Sequence, residues 1–272
     1  MRQAPDSHPI KTIFDFKRYK EQQQKISMVT CYDYPSARIV AESTVDCVLV
    51  GDSVAMAVHG HDSTIMATPE MMLLHTAAVA RGLQNQFLVS DLPFLCHRGT
   101  FSDTLHHVKG LMQAGAQAIK LEGADRVLYQ TITDLVTAGI PIMGHIGLTP
   151  QSIHQLGGYK VQGKEQEQAA LLLQQASQLE AAGCFAIVIE CVPKQVAKSI
   201  TDLLTIPTIG IGAGASTDGQ ILVWHDLLGL QSTFKPRFIK QFADGKTVFL
   251  HALNAYAAQV QEAHFPSSEH AF

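Results

Sequence analysis

Short, nearly continuous apolar runs alternate along this chain with longer segments whose apolar positions recur at helical spacing. The runs are ISMVTCYD (26–33), CVLVGDS (47–53), FLVSDLP (87–93), AIKLEG (118–123), IPIMGHIG (140–147), FAIVIECV (185–192), PTIGIGAG (207–214) and a weaker QILVWHD (220–226). A strand buried on both faces is apolar throughout rather than alternating, as strands of covered parallel sheets are. Between them, LHHVKGLMQAGAQ, LYQTITDLVTAG and AALLLQQASQLEAAG read as helices closing at Gly115, Gly139 and Gly183. Glycine suits that place because it takes the left-handed conformation at little steric cost. Strand and helix in strict alternation predict an α/β fold, and eight repeats favour a closed (β/α)8 TIM barrel over an open doubly wound sheet. KTIFDFKRYKEQQQ reads as a helix ahead of the barrel, and the link between the last two runs has room only for a very short one. The expected organisation is one domain over 1–272: an N-terminal segment and helix (1–25), the barrel (26–262) and a tail (263–272).

Composition narrows the partners. The 272 residues carry a net charge of −4 with no basic run, which argues against nucleic acid. No stretch reaches the roughly 18 apolar residues that span a bilayer, and the N-terminus lacks a signal-peptide core. The five cysteines are odd in number, without C-x-x-C, and read as buried free thiols of a cytoplasmic protein.

Strand after strand ends in a chemically useful residue. The second ends at Asp52-Ser53, the third at Asp91, the fifth reaches His145 and the sixth ends at Glu190, while the fourth carries Lys120 and Glu122 two apart and so on one face. The C-terminal strand ends of a barrel meet at one mouth, so these residues are expected to converge. Each carboxylate alone also suits a helix N-cap, and Lys120 alone suits a structural ion pair. Three carboxylates together are costly unless a cation sits among them, and oxygen donors without Cys or His suit Mg²⁺. Glu190, set in VIECVP, is expected to be desolvated enough to act as a base. The pairs His59/His61 and His106/His107 lack partners at zinc spacing, and GIGAG (210–214) lacks the order of a dinucleotide loop and reads as a close-approach turn.

The ordered set VGDSVAMAVHGHDST, SDLPF, KLEG, GHIGLTPQS, GGYKVQG, ECVP and IGIGAG…TDGQILVWHDLLG resembles the ketopantoate hydroxymethyltransferase family of pantothenate biosynthesis, over most of the chain. The resemblance implies a barrel of the phosphoenolpyruvate/pyruvate-like kind, a homo-oligomer, in that family a decamer, and a divalent metal, usually Mg²⁺. It implies transfer of a one-carbon unit from 5,10-methylenetetrahydrofolate to 3-methyl-2-oxobutanoate. Carried over motif by motif, it makes Asp52, Asp91 and Glu122 the metal set. Ser53, Lys120 and His145, with Asp52 and Asp91, would line the keto-acid site, and Glu190 would accept the proton. A Mg²⁺-dependent carbon–carbon lyase or mutase of small 2-oxo acids is the alternative on the same scaffold.

Overall fold

The computed structural model describes residues 11–231 and 236–272. Residues 1–10 of the expected N-terminal segment lie outside the described residues. Eight parallel strands close into a barrel in chain order: β1 (Ile26–Thr30), β2 (Cys47–Val50), β3 (Phe87–Asp91), β4 (Ala118–Glu122), β5 (Ile142–Gly147), β6 (Ala186–Glu190), β7 (Thr208–Ile211) and β8 (Gly219–Leu222). The helices are α1 (Ile13–Glu21), α2 (Tyr34–Ala41), α3 (Val54–Ala57), α4 (Pro69–Gly82), α5 (Phe101–Gln113), α6 (Arg126–Thr137), α7 (Ile153–Leu156), α8 (Gln166–Ala181), α9 (Lys194–Leu203), α10 (Trp224–Leu227) and α11 (Gly245–Gln261). The chain divides into two compact units, Met1–Ile221 and Leu222–Phe272. Among the described residues no helix is long and apolar enough to cross a membrane.

The eight runs are the eight strands, with one trimmed markedly. Run 220–226 stops as a strand at Leu222, and Trp224 opens α10 instead. Between β7 and β8 there is no helix at all; the chain turns at Gly212 and Gly214, both with positive φ. The predicted C-caps hold as well: Gly115, Gly139 and Gly183 have φ of 114°, 88° and 99°. All five cysteines are free, with Cys31, Cys47 and Cys184 buried.

Strand alternation layers the barrel interior. At the bottom, Ile26, Met28, Cys47, Leu49, Phe87, Val89, Ala118, Met143, Ala186, Val188, Ile209 and Ile221 form one buried cluster, small Ala118 and Ala186 beside larger neighbours. α1 closes this end. Its Phe16 is fully buried, with its ring centroid 5.2 Å from those of Phe87 and Phe185, edge-on to each. Phe16→Ala removes the plug from a packed layer. It should cost about 3–5 kcal/mol of unfolding free energy, read from denaturant midpoints. A loss below about 1 kcal/mol would mean that α1 adds little to the core.

The same two-residue period that buries the lower layer aims polar groups into the upper one. Stepping up from Val89 reaches Asp91; from Ala118, Lys120 and then Glu122; from Met143, His145; from Val188, Glu190. The register keeps them level, pairing Asp91 with Lys120, Glu122 with His145, and Gly147 with Glu190.

Candidate active site

The strand ends bring the expected residues into one buried cluster. Lys120 Nζ lies 2.9 Å from Asp91 Oδ1 and 3.7 Å from Glu122 Oε1. His145 Nδ1 lies 3.3 Å from Glu122 Oε1, and its Nε2 faces Glu190 Oε2 at 3.4 Å. Asp52, Asp91, Lys120, Glu122 and His145 are all buried, while the Glu190 side chain is 17% exposed at the edge of the group.

Asp52 reaches the cluster by a different route from the others. It lies just beyond β2, where Gly51 leaves room: a Cβ there would stand 2.7 Å from Ser53 Oγ and 3.5 Å from Asp91 Oδ2. The Asp52 backbone N–H donates to Asp91 Oδ2 at 3.0 Å. Ser53 shares a 2.8 Å hydrogen bond with the buried Tyr32 hydroxyl. The capping alternatives do not apply here. The helix after Glu190 has Pro193 at its N-cap and no side-chain cap, whereas Asp33, Asp125 and Asp244 are true carboxylate caps.

Two partners were not legible as site residues. Gln151, in the short 3₁₀ turn Pro150–Ser152 after β5, ties three elements together. Its backbone N–H donates to Glu122 Oε2 at 2.9 Å, and its Nε2 donates to Asp52 Oδ2 at 2.8 Å and to the Leu92 carbonyl at 3.0 Å. Tyr32 is the other. Both are neutral groups from loops, and the only sequence signal was their place directly after a strand.

The electrostatics single out Asp52. Burial, with the charges of Asp91 and Glu122, pushes its carboxyl well above the usual range against the opposing pull of Lys120 and Gln151. Asp91 is also raised by burial, though Lys120 offsets part of that. Burial would raise Glu122 too, but His145, Lys120 and the Gln151 N–H outweigh it and hold Glu122 low. Burial and the Lys120 charge pull His145 down; Glu122 and Glu190 outweigh them and hold it up at about 9. Four carboxylates thus face one ammonium and one imidazolium, and the deficit of positive charge falls on Asp52.

That deficit is the test of a metal, and the residues fit one. Hard carboxylate oxygens with no sulfur suit Mg²⁺, which takes one or two protein carboxylates and completes its octahedron with water or substrate. Asp91 is joined to Asp52 by the hydrogen bond from the Asp52 N–H and to Lys120 by its ion pair. Glu122 is already engaged by His145 and Gln151, and among the described residues no group of three or more His, Cys, Asp or Glu side chains is arranged to hold an ion.

The turn that sets His145 beside Glu190 depends on Gly147. Its φ is +92°, and a Cβ would fall 2.3 Å from the Glu190 carbonyl oxygen and 2.7 Å from Val192 Cγ2. Gly147→Ala should therefore cost roughly 1–3 kcal/mol and move the Glu190 backbone. Thermal unfolding and turnover should fall together; unchanged values for both would show that the β5–β6 junction yields freely.

The histidines without zinc spacing meet other histidines. His59 pairs with His75 rather than His61, Nε2 to Nε2 at 2.9 Å, and His106 and His107 meet edge to face. In the GIGAG turn, a Cβ on Gly210 would strike Thr217 Oγ1 at 2.6 Å, so close approach is its role.

Known proteins resemble this chain in sequence and in fold. The ketopantoate hydroxymethyltransferase family matches residues 10–268. The 3-methyl-2-oxobutanoate hydroxymethyltransferase of Legionella pneumophila (strain Paris) is 69% identical over 260 residues, 96% of this chain and 99% of that protein. The enzyme of the same name from Coxiella burnetii (strain RSA 493 / Nine Mile phase I) is 51% identical over 255 residues, 94% and 96% of the two chains. Among solved structures, a phosphonopyruvate hydrolase in complex with oxalate and Mg²⁺ aligns with TM-score 0.61 at 12% identity, over 95% of this chain and 92% of its own. A 2,3-dimethylmalate lyase of the PEP mutase/isocitrate lyase superfamily aligns with TM-score 0.59 at 13% identity, over 96% and 91%. At such identities these structures share the fold with this chain.

Proposed function

The chain belongs to the ketopantoate hydroxymethyltransferase family, and from that premise we propose how its buried cluster carries out the reaction. The chain is a 3-methyl-2-oxobutanoate hydroxymethyltransferase, an enzyme of the pantothenate pathway, with methylenetetrahydrofolate as co-substrate. The observation that carries the mechanistic reading is the convergence of Asp52, Asp91, Lys120, Glu122, His145 and Glu190 from five strand ends on one mouth.

Asp52 and Asp91, with Glu122 beside them, would hold Mg²⁺. Bound there, Mg²⁺ supplies Lewis acidity, polarising the keto oxygen and balancing the charge that gathers on it. Lys120 adds a fixed positive charge for the substrate carboxylate, and Ser53, oriented by Tyr32, donates a hydrogen bond to it. Glu190 takes the proton from C3. It stands at the open edge of the cluster, and the protonated His145 beside it holds it in place. Water adds to the folate's methylene carbon and its C–N bonds break, giving tetrahydrofolate and formaldehyde. C3 then adds to the formaldehyde carbon, and the oxygen takes a proton back from Glu190 to become the hydroxyl of 2-dehydropantoate.

Proton NMR of 3-methyl-2-oxobutanoate in D₂O tests this reading. With protein and Mg²⁺ the C3 proton should exchange, chelation should stop the exchange, and methylenetetrahydrofolate should convert the keto acid to the hydroxymethyl product. Full turnover by metal-free protein would remove Mg²⁺ from the account. Exchange without folate-dependent product would favour a lyase or mutase.

Assembly into a homo-oligomer, a decamer in the family resemblance, is supported by α11. Its Phe249, Leu253 and Tyr256 are 58%, 65% and 58% exposed in the single chain, an apolar surface that association of copies would cover.

A further inference from the structure

A second pocket lies beside the buried cluster, on the same rim of the barrel. It has a volume of about 380 Å³ and is lined by Asp62 and Ser63, from the loop after β2, and by Ile153, His154, Gly158 and Tyr159, from the loop after β5. Two contacts tie it to the catalytic groups. The Tyr159 hydroxyl lies 3.7 Å from Met56 Sδ, four residues beyond Asp52. The loop carrying Tyr159 is pinned by a 2.8 Å hydrogen bond from the Gln162 N–H to the carbonyl of Cys191, the residue after Glu190. Gly157 and Gly158, with φ of 68° and 106°, turn the chain so that Tyr159 follows α7 directly. Burial and the charges of Glu190, Asp52 and Glu122 all push the Tyr159 hydroxyl upward, so the ring stands within the field of the cluster.

The lining is wrong for the keto acid and right for a flat, donor-bearing ring. The Asp62 carboxylate repels another carboxylate; no lysine or arginine is among the lining residues, and the cation beside them is Lys160, whose Nζ lies 3.3 Å from where a Cβ on the lining Gly157 would stand. Tyr159, 54% exposed, puts an aromatic ring in the lining. A reduced pterin brings a planar heterocycle and an amidine edge of two N–H donors, the complement of an aromatic face and a carboxylate. We propose that this pocket seats the pterin of the one-carbon donor, with the Tyr159 ring against its face and the Asp62 carboxylate accepting from its amidine N–H groups. This assignment rests on the folate-dependent reading above. It places the donor's methylene carbon beside the mouth where C3 is deprotonated, and leaves the folate tail free to run out into solvent.

Titration calorimetry with tetrahydrofolate tests it, using the full chain with Mg²⁺. Tyr159→Ala and Asp62→Ala should each weaken binding roughly tenfold or more, whereas Tyr159→Phe, which keeps the aromatic face, should stay within about twofold. Deuterium exchange at C3 of the keto acid, measured without folate in the same variants, separates the failures. Undiminished tetrahydrofolate affinity in both alanine variants, with exchange intact, would overturn the pocket assignment and leave the reaction standing. Loss of exchange in either variant would place that residue in the keto-acid site and overturn it too. Wild-type protein that binds no tetrahydrofolate would sink the folate-dependent reading and this assignment with it.

Discussion

Glu190→Gln should abolish exchange of the C3 proton of 3-methyl-2-oxobutanoate into D₂O while leaving keto-acid binding nearly intact. The substitution keeps the size and planarity of the side chain and removes its ability to take a proton together with the charge that helps keep His145 protonated. A positioned general base contributes about 10²–10⁴ in rate, so exchange and turnover should both fall by at least the lower figure. Binding should hold because Ser53, beyond the end of β2, and Lys120, on β4, are held by Tyr32 and Asp91 rather than by Glu190. The substituted amide would still present an oxygen toward His145 Nε2, which lies 3.4 Å from the native carboxylate. Exchange at the wild-type rate would remove Glu190 as the base. Loss of keto-acid affinity alongside exchange would make it a binding group instead.

Lys120→Met is expected to have the largest effect on the fold. Lys120 is buried between Asp91 and Glu122, and its Coulombic attraction to them outweighs burial and raises its pKa. A group raised in this way lends stability that is complete below its ordinary pKa and lost only as pH rises through the folded value. The lysine therefore stays charged throughout the neutral range. Taking out the cation strands carboxylates in the interior, which costs about 3–5 kcal/mol in other buried pairs. The acids are then the groups that titrate. As pH falls they protonate, the stranded charge disappears, and the deficit of the variant relative to wild type should shrink. Denaturant unfolding of both proteins at neutral and acidic pH would show this. An equal deficit at both would locate the damage in packing rather than charge. Because Mg²⁺ offsets the same negative charge, adding it should recover part of the lost stability at neutral pH.

The fold was legible because a parallel strand covered on both faces must be apolar along its whole length, and glycines punctuate the helices between. The site was legible through parity. Once Phe87 and Val89 point inward, Asp91 must too, and Ala118 carries Lys120 and Glu122 in the same way. Where parity ends, legibility ends. Asp52 lies past the last residue of β2, and its place at the end of an apolar run rather than any alternation marked it; the Gly51 turn and the Asp91 hydrogen bond place it. Gln151 and Tyr32 come from loops whose path is set by tertiary contacts, so beyond their place after a strand their neutral side chains carried no signal. Run 220–226 misled for another reason: its apolar texture continues across Val223 although the backbone turns into α10 at Trp224. Short apolar runs cannot distinguish a strand from the first turn of a buried or half-buried helix.

The central claim is that Asp52 and Asp91 share a divalent ion at the barrel mouth. Diffraction from crystals soaked with Mn²⁺ and 3-methyl-2-oxobutanoate, collected at a wavelength where manganese scatters anomalously, tests it most directly. The account predicts one strong anomalous peak in contact with both aspartate carboxylates and the keto acid, vanishing in an Asp52→Ala, Asp91→Ala double variant. A mouth without manganese while the keto acid is bound there, or an ion held elsewhere in the barrel, would contradict it.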